Sequence, residues 1–190
     1  MSTRIKNMRE VLILAGISEI NANGITDFSV RRVAAACNVS CAAPYKHFKG
    51  KSDFIAAIID YVNEQWREQQ REILATCGDD LRKQIVEICC GYLRFLMEKP
   101  YFRSILMLKN EEFDNIYHRP RDGQISRTEL VVQQIYEANM FTPEAYYRKV
   151  HIIRSMLFGT MFMIHTGELE YNEKTMENLR YSIDREFDLP

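Results

Sequence analysis

Turn-forming residues are scarce in this chain, with five prolines and eight glycines in 190 residues. Set beside the recurrent Leu, Ile, Met, Ala, Glu, Lys and Arg, that scarcity argues against a strand-and-hairpin architecture and for helices. No run alternates apolar and polar residues over a strand's length, so nothing competes with the helical period. Long hydrophobic runs are missing as well. None approaches the roughly 20 residues needed to cross a bilayer, and the first ten residues carry Arg4, Lys6, Arg9 and Glu10. Secretion and a membrane partner are therefore not expected. The five cysteines, at 37, 41, 77, 89 and 90, are odd in number and lack the doubled CxxC spacing of a structural zinc site. They predict reduced thiols in a cytoplasmic protein, with no metal or other cofactor.

Net charge is nearly absent too, at −1, but only on average. Residues 1–52 hold eight Lys and Arg against three Asp and Glu, giving +5, and the remainder holds 17 against 23, giving −6. A basic head on an acidic body implies a polyanionic partner for the head alone. The length suits a small module joined to a larger one.

Apolar spacing predicts a first helix over about residues 3–21, with Met8, Leu12 and Ala15 on one stripe and Ile13, Ile17 and Ile20 on another. Asn23-Gly24 reads as its C-cap. Two short helical segments follow, at 29–36 and 40–48, separated by Cys37-Asn38-Val39. Ala34, Ala35 and Ala36 allow close helix approach, and Asn38 tolerates a left-handed turn. Val39 is placed to fill the space between the two segments. Ser40 is a candidate cap for the second, and Pro44 falls in its first turn. A long helix over about 52–75 carries Ile55, Ile58, Ile59, Val62 and Trp66 on one face, with Ser52 as its cap.

Gly78-Asp79-Asp80 then opens a helix through Ile85, Ile88, Cys89, Tyr92 and Leu96 that stops at Pro100. A short helix to about 108, a polar loop over 109–123 and a helix over about 125–138 are expected next. Thr142-Pro143-Glu144 is a helix start, and the helix it opens, to about 165, is apolar almost all round from Val150 to Ile164. The last helix, about 172–187, has a narrow stripe at Met176, Leu179, Ile183 and Phe187.

The run FSVRRVAAACNVSCAAPYKHFKGKSDF resembles the head of the TetR (tetracycline repressor) family of bacterial regulators. The likeness rests on coupled positions: the small residues of the first short helix, the turn ending in Val39-Ser40, the Tyr45-Lys46-His47-Phe48 block, and Lys51 opening the long helix. Asn38 takes a place often held by glycine in that family, and Pro44 one often held by a larger apolar residue. The resemblance implies an all-α fold of about nine helices. Its parts are an N-terminal three-helix helix-turn-helix DNA-binding domain over 1–51 and a larger helical effector-binding and dimerisation domain over 52–190.

A major groove admits one helix, so a fixed pair can insert the second while the first crosses the backbone. Tyr45 and His47 suit phosphate hydrogen bonds from rigid rings, and Lys46 and Lys51 supply charge beside a helix N-terminus. By resemblance, Arg31 reaches a base edge. Ser40, Cys41, Ala42 and Ala43 form the exposed start of the reading segment. They lack long hydrogen-bonding groups and so leave base choice to close approach and DNA shape.

For the body, the resemblance implies a small-molecule effector of unknown identity and a homodimer that presents two heads to a double-stranded operator. The last two helices are the expected dimer interface, the penultimate one being too apolar for a single buried face. Trp66, Tyr92, Phe95, Met107, Phe113, Met156 and Phe158 are candidate ligand-pocket residues, since aromatic and thioether side chains line adaptable cavities. A ligand-responsive repressor is the expected function. The alternative is a helical protein-binding adaptor with an incidental basic head. An enzyme is not expected. His165 with Glu168, and Tyr147 with His151, share helical spacing only, His118 offers no third ligand of defined spacing, and no phosphate loop or nucleophile elbow appears.

Overall fold

The computed structural model describes residues 7–102 and 142–188. These form six α-helices and one 3-10 turn, with no strand among the described residues: α1 Met8–Asn23, α2 Val30–Ala36, the turn Pro44–Lys46, α3 Lys51–Cys77, α4 Leu81–Glu98, α5 Pro143–Thr166 and α6 Glu173–Glu186. The expected loop at 109–123, the helix at 125–138, Met107, Phe113 and His118 lie outside the described residues. So does all but the start of the expected short helix, whose residues 100–102 are helical. The chain divides into two compact units, and the division falls within α3, between Gln65 and Trp66.

In the first unit, α1 starts at Asn7, whose side chain accepts from the Glu10 N–H, and ends where Gly24, at φ 75°, donates to the Ile20 carbonyl. That is the expected glycine C-cap. The two expected apolar stripes merge into one buried face of Leu12, Ile13, Gly16 and Ile20, while Met8 is exposed. The reason is Gly16. A Cβ built there would stand 2.7 Å from Ile58 Cδ1 and 3.2 Å from Phe54 Cε2, so the missing side chain is what lets α1 lie against α3. Phe54 in turn stacks on Phe48 at 3.9 Å and meets Phe28 edge-on at 5.4 Å. Arg9 sits 5.4 Å over the Phe48 ring. Ile55, Ile58, Ile59 and Val62 are buried as their spacing predicts.

The second unit is built on α4, which buries Ile85, Val86, Ile88, Cys89, Cys90, Leu93, Phe95 and Leu96 and packs on both α5 and α6. Gly78, at φ 61°, breaks the chain before it, and Asp80 Oδ1 accepts from the Lys83 N–H to cap it. At α5, Thr142 accepts from the Ala145 N–H with Pro143 in the first turn, and Gly167 closes the other end in the left-handed conformation. The α6 stripe of Met176, Leu179 and Ile183 is buried.

Ion pairs fasten the helices of this unit. Arg82 holds Asp184 bidentately, Nε to Oδ1 at 2.6 Å and Nη2 to Oδ2 at 2.8 Å, and reaches Asp188 Oδ1 at 2.7 Å. Arg180 Nε donates to Glu87 Oε1 at 3.0 Å. The fully buried Lys149 donates to the Glu186 carbonyl at 2.7 Å, with the Glu186 carboxylate at 3.9 Å. That ammonium therefore satisfies an end carbonyl of α6 as well as a buried charge. Burial pushes the Lys149 ammonium below its ordinary value, against the opposing pull of Glu186. All five cysteines are free, with 77, 89 and 90 buried, and burial pushes the Cys90 thiol up to about 11.

Candidate nucleic-acid interface

Ser29 caps α2 by accepting from the Arg32 N–H, and α2 runs only to Ala36. Of its three small residues only Ala34 is buried; Ala35 and Ala36 face solvent. The chain then reverses through Asn38, at φ 54°, the left-handed conformation expected of it. Val39 follows half-buried, its N–H donating to the Ala34 carbonyl at 3.0 Å.

The reading segment differs from its expected form. Residues 40–48 are not an α-helix. Ala43 N–H donates to the Ser40 carbonyl at 2.9 Å, an i to i+3 bond, and Pro44–Lys46 is a 3-10 turn. Proline is the cause. The donor that an α-helix would bring to the Ser40 carbonyl is the amide of residue 44, and Pro44 has none. The turn therefore closes one residue short, in 3-10 fashion. His47 and Phe48 N–H groups both reach the Pro44 carbonyl at 2.9 Å, which ends the segment, and the buried Pro44 and Phe48 pin it to the core.

This geometry leaves the predicted contact residues outward. Arg31, Ser40, Cys41, Ala42, Tyr45, Lys46, His47 and Lys51 are exposed, and Ala43 is half-buried. Tyr45 retains 59% of its surface although buried residues pin the turn on either side of it. The neighbouring arginines on α2 divide. Arg32 is taken up by Glu19, Nε to Oε1 at 2.7 Å, and by the Asp27 carbonyl, and the Glu19 hydrogen bond raises its pKa. Arg31 has no such partner among the described residues. Glu19 also accepts from the Ser29 N–H at 3.3 Å, so one carboxylate of α1 orients the start of α2.

At the head of α3 the geometry adds two features. Lys51 Nζ donates to the Thr26 carbonyl at 3.0 Å, so Lys51 links the α1–α2 loop to α3 while remaining exposed. Asp53, rather than Ser52, supplies the terminal side-chain acceptor, taking the Lys49 N–H at 2.8 Å. Its charge offsets part of the positive end of the helix. Lys49, absent from the expected contacts, is also exposed between His47 and Lys51. The signal was there, since 46, 49 and 51 form one short basic run.

Residues 12–58 match the model of the bacterial regulatory proteins, tetR family. The head is similar to that family. The chain is also similar in fold to several solved structures. The fatty acid degradation regulator FadR from Bacillus halodurans superposes with a TM-score of 0.76 at 14% identity, over 96% of this chain and 95% of that one. A TetR-like transcriptional regulator from Rhodococcus sp. RHA1 gives 0.72 at 17%, over 98% and 100%. The TetR family transcriptional regulator PfmR from Thermus thermophilus gives 0.65 at 18%, over 93% and 97%. At these identities the likeness establishes the fold. No curated protein matches the chain.

In the second unit, Trp66 meets Tyr92 at 5.1 Å and Phe95 at 5.4 Å between ring centroids. Met156 lies elsewhere, in a groove of about 280 Å³ between α5 and α6, and Phe158 is exposed on α5. The predicted pocket residues thus fall in more than one place. His151, His165 and Glu168 are all exposed, and no cluster of metal-ligating side chains occurs among the described residues. Among them too, no helix is long and apolar enough to cross a membrane.

Proposed function

We propose that the protein is a ligand-responsive transcriptional repressor that binds a palindromic operator as a homodimer. The reading rests on the head, where a buried Pro44 and Phe48 hold an outward row of Tyr45, Lys46 and His47 beside Lys51. Tyr45, Lys46, His47 and Lys51 anchor phosphates, and Arg31 with the small side chains 40–43 meets base edges. Lys49 joins the phosphate contacts. The DNA-binding domain spans 1–51 and the effector-binding and dimerisation domain 52–190.

Dimerisation through α5 and α6 is supported by the surface of α5. Phe158 and Phe162 are 37% and 48% exposed, and a Cβ at Gly159, between them, would meet nothing within 4 Å. A mid-helix glycine costs about 1 kcal/mol relative to alanine. Close approach of a second copy gives that cost a use. Two heads spaced near one helical turn, roughly 34 to 36 Å, then read a palindrome with combined affinity. The effector site draws on Trp66, Tyr92 and Phe95, and its occupation tilts α3 and shifts the population of head spacings, lowering DNA affinity.

Selection of bound sequences from random DNA, followed by titration with candidate effectors, tests the reading. A two-fold symmetric site released by an effector is the expected result. Failure to enrich any sequence contradicts it.

A further inference from the structure

Gln70 is an anomaly in the body. It is 1% exposed, and its side-chain Nε2 has no hydrogen-bond partner among the described residues. A buried amide donor left unpaired opposes folding, and native interiors leave few such groups without a reason. Its position supplies one. On α3, Trp66, Gln70 and Ile73 recur at i, i+4 and i+7 and so share a face. That face meets α4, since a Cβ built at Gly91 would collide with Ile73 Cδ1 and stand 3.8 Å from Trp66 Cη2. One turn from Gln70, Trp66 packs against the rings of Tyr92 and Phe95. An unpaired polar donor one helical turn from a cluster of aromatic rings has the composition of a small-molecule site, where apolar surface supplies affinity and one placed polar group supplies orientation.

We infer that Gln70 is the specificity residue of the proposed effector site, and that the effector is an apolar molecule bearing a neutral carbonyl acceptor, a ketone, ester or amide, that takes the Gln70 amide N–H. This rests on the ligand-responsive reading above. A neutral acceptor fits better than a carboxylate, because Gln70 carries no charge to compensate a buried anion.

Trp66 is the only tryptophan of the chain, so its fluorescence reports on this site directly. The test titrates the full-length protein with 4-phenylbutan-2-one, with butylbenzene, which lacks the carbonyl, and with 4-phenylbutanoate, which is charged. Gln70→Leu is expected to weaken the ketone about tenfold while leaving butylbenzene unchanged or tighter, and to raise the Tm of the ligand-free protein. The carboxylate is expected to bind more weakly than the ketone. Gln70→Met and the Gln70 side-chain amide NMR signal of the wild type, which should move with the ketone and not with butylbenzene, guard against a misfolded variant. If butylbenzene and the ketone both bind but neither affinity responds to Gln70→Leu, the acceptor assignment falls and the effector site stands. A Tm unchanged by Gln70→Leu means that a buried water already satisfies the amide, and also overturns the assignment. If neither probe perturbs Trp66 at millimolar concentration, the effector site itself is misplaced.

Discussion

Gly16 makes the packing of the head quantitatively testable. In Gly16→Ala the added methyl would stand 2.7 Å from Ile58 Cδ1 and 3.2 Å from Phe54 Cε2. Ile58 Cδ1 must shift to admit it, and the shift is opposed by burial: both neighbours are fully buried, and Phe54 is held between Phe48 and Phe28. Overpacking of this kind costs about 1 to 3 kcal/mol, and exchanging glycine for alanine inside a helix returns about 1 kcal/mol. The expected net loss is therefore on the order of 1 kcal/mol, a fall in Tm of roughly 2 to 4 °C for a protein of this size.

Ile58→Val removes the Cδ1 atom that is struck and should cost about 1 kcal/mol alone. Combined, the two changes should compensate, because the new methyl occupies the space that Cδ1 vacates. The double variant is expected to be at least as stable as Ile58→Val, with a coupling of about 1 kcal/mol. Urea and thermal unfolding of the four proteins, followed by circular dichroism, measure it. Strict additivity, or a Gly16→Ala protein more stable than wild type, would refute the close approach of α1 and α3.

Other perturbations probe separate joints. Asn38→Gly should be close to neutral in thermal unfolding, whereas Asn38→Val should cost roughly 1 to 2 kcal/mol, because a β-branched residue opposes the left-handed turn. Ser29→Ala should cost about 1 kcal/mol through loss of the α2 cap. Arg82→Ala should destabilise the protein near neutral pH by releasing Asp184 and Asp188. Arg82 holds the Asp188 carboxyl below its ordinary value, so this contribution is present above the unfolded carboxylate pKa and fades as pH falls through the folded one. The gap between wild type and Arg82→Ala should accordingly narrow below about pH 4. A gap that widens on acidification would contradict the pairing.

Much of the architecture was legible because it depends on local chemistry. Gly24, Asn38 and Thr142-Pro143 mark their turns and caps through backbone demands that a single residue type meets. The face from Ile55 to Trp66 follows from spacing alone. The reading segment was misjudged because two local rules compete there. Proline is tolerated in a first helical turn, but at position 44 it deprives the Ser40 carbonyl of its α-helical donor, and in so short a segment that loss decides the outcome. The single buried face of α1 was hidden because its centre is Gly16, which spacing rules count as no side chain at all.

Long-range partners were beyond reach. Nothing adjacent to Lys51 announces Thr26, and nothing adjacent to Arg82 announces Asp184. For the candidate contact residues of the head, by contrast, residue type and spacing already indicated side chains that stand outward, all but the half-buried Ala43.

Salt dependence of binding to the selected operator tests the central claim most directly. Each phosphate contact contributes about 0.9 to the slope of log K against log salt. Lys46→Ala, whose side chain is exposed on the 3-10 turn, is expected to weaken binding across sequences and to flatten that slope by about 0.9 per bound head. An unchanged affinity with an unchanged slope would contradict the assignment of this turn to the DNA backbone.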